Sequence, residues 1–83
     1  MVVNYFTFGC GQMFKNHYVI IKAKDSQRCR ELMFEAFGPN WSIQYGENDF
    51  HPDRHSYRSL AEIKENDCNE KIVKVYAATI VHI

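Results

Sequence analysis

The apolar positions change period along the chain, and the changes mark the elements. Val2 to Phe8 is β-branched and aromatic throughout, which predicts a strand. Gly9-Cys10-Gly11-Gln12 breaks it with a turn, and His17 to Ala23 supplies a second strand. The eight or so residues between them exceed a tight hairpin and predict a projecting loop. The period then lengthens. Cys29, Leu32, Met33, Ala36 and Phe37 recur at i, i+3, i+4, i+7 and i+8, the spacing of one helical face, while Gln27, Arg28, Arg30, Glu31 and Glu35 fall opposite. Asp25 or Ser26 can cap this helix, and Gly38-Pro39 ends it, so a helix over about 26–37 is expected.

Trp41 to Tyr45 alternates large apolar residues with Ser42 and Gln44, as a half-buried strand does. Gly46 to Arg58 is polar and reads as a surface loop. Leu60 to Glu65 fits either a strand or a short helix opened by a Ser59–Glu62 capping box. Asp67-Cys68-Asn69 reads as a turn and Ile72 to Ile83 as a long last strand. The order β-β-α-β, a loop, and one or two C-terminal strands describes a single α+β domain over 1–83. It has two layers, with one helix on one face of a mostly antiparallel sheet. Both faces of the last strand, and both of 18–21, carry apolar side chains. Residues 46–65 or a second copy of the chain must therefore cover the other face, and a homodimer is one expectation.

Composition narrows the classes of function. Eighty-three residues make one core, with 46% hydrophobic and 14% aromatic residues, too many for a disordered tail. Ten acidic residues balance ten basic ones, which argues against direct DNA or RNA binding and against a nucleic-acid mimic. Three unpaired-looking cysteines, no apolar run of membrane length and no signal-like start give a cytosolic reading.

The chemistry-bearing residues are few. His51 and His55 stand four apart, but Pro52 and a polar stretch intervene, so they read as surface histidines and no metal site is expected. Cys10 could pair with a histidine as a nucleophile, yet no cysteine-enzyme signature surrounds it, and it reads as a small residue at a turn. No cofactor and no catalytic residue are expected. A binding pocket is the more developed reading. Backbone amides of Gly9, Cys10 and Gly11 could form an anion nest, Gln12 and Gln44 offer hydrogen-bonding edges, Trp41 and Tyr45 stacking faces, and Arg28 a charge. The competing reading puts Trp41 and the tyrosines in the core and the arginines on a solvated helix face.

Three stretches carry a resemblance: Tyr5 to Gln12, Arg30 to Gly38, and Trp41 to Tyr45. Together they resemble a family of small bacteriophage and prophage proteins that join a Phe-Gly-x-Gly-Gln strand end to a helix ending in Phe-Gly and an aromatic strand closing on Tyr. The resemblance covers about the first 45 residues. It implies an accessory protein made in the cytoplasm of an infected or lysogenic bacterium that antagonises host defence. Two modes of action follow. One is sequestration of a small nucleotide-type immune signal at Gly9, Cys10, Gly11, Gln12, Arg28, Trp41, Gln44 and Tyr45. The other is direct blockage of a host defence protein, anti-CRISPR-like, through loop 46–58 and the last strand adding to a partner's sheet edge.

Overall fold

The computed structural model describes residues 1–55 and 57–76. The chain runs β1 (Val2–Thr7), β2 (His17–Ala23), α1 (Ser26–Phe37), β3 (Ile43–Gly46), α2 (Pro52–His55), β4 (Arg58–Glu65) and β5 (Lys71–Val75). The strands form one sheet in the order β3-β1-β2-β4-β5. It is antiparallel except at its centre, where β2 and β4 run parallel because α1, β3 and α2 carry the chain across between them. The α+β two-layer architecture expected from the pattern is the one observed.

Helix α1 begins as its sequence dictates. The Asp25 carboxylate accepts the Arg28 N–H at 2.7 Å, and the Gly38 N–H closes the last turn on the Phe34 carbonyl at 2.8 Å. Gly38 sits at φ 62°, ψ −144°, a backbone region open essentially to glycine alone. The buried face of α1, Cys29, Leu32 and Met33, packs on Phe6, Val19, Ile21, Ala23, Ala61 and Ile63 of the sheet. That is one core, on one face.

Part of the other face is covered by the chain's own Phe50. Phe50, an isolated apolar residue in a polar stretch, is 6% exposed. Its ring lies 5.3 Å from Tyr5, 5.7 Å from Tyr18, 5.1 Å from Tyr45 and 5.3 Å from Tyr57. Of the two ways to cover this face, the aromatic half is covered from within residues 46–65. Pro52 opens the short α2 there, at the helix start where its missing N–H costs nothing.

Two boundaries differ from the sequence reading. The third strand begins at Ile43, because Trp41 turns inward to meet Phe6 edge-on at 5.1 Å and Ser42 N–H bonds Thr7 O at 2.8 Å. Leu60 to Glu65 resolves to strand: β4 runs from Arg58, so Ser59 and Glu62 lie within it and cap no helix. The Asp67-Cys68-Asn69 turn is present, with the Asn66 carboxamide oxygen accepting from Cys68 N and Glu70 N at 2.9 and 3.0 Å. The last strand is described as far as Val75; residues 77–83 of the expected long strand lie outside the described residues. Among the described residues no helix is long and apolar enough to cross a membrane.

Candidate functional site

The eight residues read as a nucleotide pocket fall into three separate places. Gly9 to Gln12 form a turn closed by Gln12 N–H to Gly9 O at 3.0 Å. The Gln12 side chain reaches back inside it. Its Oε1 accepts from Gly9 N at 2.5 Å and from Ser42 Oγ at 2.9 Å, tying the turn to the start of β3. A Cβ on Gly9 would come within 2.7 Å of Ser42 Oγ, so this glycine is required for that close approach.

Trp41 and Gln44 lie along the same side of the sheet but serve packing. Trp41 is held by Phe6 and by Phe34 at 5.4 Å, with the Arg30 guanidinium 5.0 Å above its ring. Gln44 donates to Asn4 Oδ1 at 2.5 Å and to Ser26 O at 2.9 Å, satisfying a buried asparagine and a carbonyl in the first turn of α1. Tyr45 is on the opposite face, stacked on Phe50. Cys10 is exposed at the turn.

Arg28 points elsewhere again. It makes a two-pronged contact with Glu65 of β4, Nε to Oε1 at 2.8 Å and Nη2 to Oε2 at 2.7 Å, and its Nη1 reaches Glu31 at 3.0 Å and Glu35 at 3.3 Å. The hydrogen bond from Arg28 holds the Glu65 carboxyl below its ordinary value, and Glu65 in turn makes Arg28 hold its proton more tightly. Lys71 joins this network through Glu35, whose carboxyl its hydrogen bond also lowers. With three carboxylates around it, Arg28 offers no free charge to an anion.

The unsatisfied surface is at the other end of the sheet. Every residue of β5 is exposed, with Ile72 at 56%, Val73 at 55%, Val75 at 61% and, just beyond, Tyr76 at 51%. The register pairs Val75 with Ala61, Val73 with Ile63 and Lys71 with Glu65, and Tyr76 N–H bonds Leu60 O at 2.9 Å. Antiparallel ladders alternate, so Ile72, Lys74 and Tyr76 spend their backbone groups on β4. Lys71, Val73 and Val75 turn theirs outward, in a row of donors and acceptors along the sheet edge.

Beside that row lies a groove of about 210 Å³ between α1 and β5, lined by Leu32, Glu35, Ala36, Ile63, Lys71 and Val73. It exists because α1 sits over β1 and β2 and leaves the β4–β5 side of the same face partly open. Lysine on an edge strand normally guards against pairing. Here Lys71 is drawn onto Glu35, at the rim of the groove, which removes one of the two guards and leaves Lys74. The sequence pointed to this edge through the apolar residues on both faces of the last strand. It held no sign of the groove, which depends on where the helix lands across the sheet.

Among the described residues no three His, Cys, Asp or Glu side chains gather where one metal ion could be held. Compared with protein-family models, with curated proteins and with solved structures, the chain matches none.

Proposed function

We propose that this chain is a non-catalytic binding protein that acts by docking on another protein through the edge of its sheet. A strand of the partner pairs with Lys71, Val73 and Val75 and extends the sheet beyond β5. Main-chain hydrogen bonds supply affinity, and an apolar side chain of the partner strand enters the groove of Leu32, Ala36, Ile63 and Val73 to supply specificity. The observation that carries the reading is β5, exposed at every residue, beside that groove. The dispersal of the eight pocket residues, with Arg28 enclosed by carboxylates and Tyr45 on the far face, favours protein contact over sequestration of a charged nucleotide. In the bacteriophage setting that the resemblance implies, the partner is a host defence protein in the bacterial cytoplasm and the docked strand blocks it.

The test is a pair of proline substitutions. Val73→Pro removes an outward N–H and leaves the β4 ladder whole, which sheet edges tolerate. Lys74→Pro removes an inward N–H and breaks that ladder. With host lysate as the source, the wild-type chain is expected to retain a stoichiometric partner that Val73→Pro loses while keeping the wild-type circular dichroism and melting curve. A partner retained by Val73→Pro at full stoichiometry would contradict strand addition.

A further inference from the structure

The glycine turn and the end of α1 border a second pocket, open to solvent on one side, of about 340 Å³ and lined by Gly11, Gln12, Met13, Phe14, Phe37 and Asn40. It shares no lining residue with the groove beside β5. Its size is that of a small-ligand site. Its walls are fixed: Phe14 and Phe37 meet edge-to-face at 6.1 Å, and each meets Phe8, at 5.6 and 5.7 Å. Met13 stands at the rim 87% exposed, a flexible thioether able to fold over a flat guest.

The polar groups say what the guest would be. Gly9 N and Ser42 Oγ both donate to Gln12 Oε1, which fixes the carboxamide's orientation and leaves Nε2 as a donor with no acceptor among the described residues. Asn40 adds a second carboxamide, whose side chain makes no hydrogen bond to the described residues, so it offers both a donor and an acceptor. None of the six lining residues has an ionisable side chain. Arg30 lies over Trp41 and Phe34 and is not part of the lining. Two aromatic walls, two carboxamide edges and no charge match a flat, neutral heterocycle with a hydrogen-bonding edge.

We propose that this cavity binds the base of a free nucleoside, with the ring against the phenyl walls and its edge on Gln12 and Asn40. No lining side chain carries a positive charge for a 5′-phosphate. The site is independent of β5, so its failure would leave the strand-docking reading untouched.

The experiment is a titration of the full chain with each common nucleoside, followed by NMR and calorimetry. At least one nucleoside is expected to give saturable shifts at Gln12, Phe14, Phe37 and Asn40. Its 5′-monophosphate should bind no more tightly. Asn40→Ala, at an exposed position that leaves the fold intact, should weaken binding about tenfold, the worth of one hydrogen bond. Phe37→Leu keeps an apolar side chain and removes one stacking wall, and should weaken it as well. Absence of saturable shifts with every nucleoside would overturn the proposal. So would shifts confined to other residues, unchanged affinity in both variants, or a monophosphate that binds more than about tenfold tighter than its nucleoside.

Discussion

Replacing Phe50 by alanine tests how the second face of the sheet is closed. An aromatic side chain buries roughly 150–250 Å². At about 25 cal/mol per Å² its removal withdraws roughly 4–6 kcal/mol of burial, of which alanine restores a part. Phe50 is 6% exposed and touches four tyrosine rings, each only partly buried, so solvent and a yielding loop fill some of the space left behind. The expected loss is therefore about 3 kcal/mol, the low end of the range for Phe→Ala in cores. For a domain of this size that corresponds to a fall in Tm of roughly 12–24 °C. Thermal melts by circular dichroism, with urea titrations for the free energy, measure it. Met13→Ala, at a side chain that is 87% exposed, is the control and should stay within about 0.5 kcal/mol. A Phe50→Ala melt within about 4 °C of wild type would refute the account, because it would mean that Phe50 does not seal the aromatic part of this face.

Other outcomes follow from the charges and thiols. Glu35 and Glu65 have carboxyls held below the ordinary 4.5 by Lys71 and Arg28 respectively, so the unfolded chain takes up their protons first on acidification. Stability from these groups is present above 4.5 and is lost as pH falls through the lowered folded values. Urea titrations in this acid range should show that slope, and Arg28→Met should flatten it. The Cys29 thiol is pushed up to about 11, mainly by burial, whereas Cys10 and Cys68 are exposed. A thiol reagent at roughly pH 8 should label two cysteines in the native chain and all three in denaturant. A third fast thiol in the native chain would mean that the seat of Cys29 beneath α1 is open.

Parts of this fold are local, and those were legible. The apolar stripe of α1, its Asp25 cap and its Gly38 stop lie within one stretch of chain, as do the β-branched runs of β1 and β2. Leu60 to Glu65 stayed ambiguous because Leu60, Ala61 and Ile63 fit a strand or one turn of helix equally; pairing with β2, some 40 positions earlier in the chain, decides it. That pairing is parallel, and no short pattern announces a parallel neighbour. Arg28 illustrates the same gap at the candidate site. Its partner Glu65 lies 37 residues away, so a charge that looked free on a helix face is enclosed once the chain folds. Phe50 gives no signal in the sequence, because a single apolar residue in a polar stretch has no period.

Amide hydrogen exchange across β5, measured by NMR with and without a saturating partner, tests the docking edge most directly. In the free chain the amides of Ile72, Lys74 and Tyr76 should be protected by β4, while those of Val73 and Val75 exchange freely. Partner binding should protect Val73 and Val75. Protection of those two amides in the free chain, or their continued free exchange in the complex, would contradict strand addition at β5.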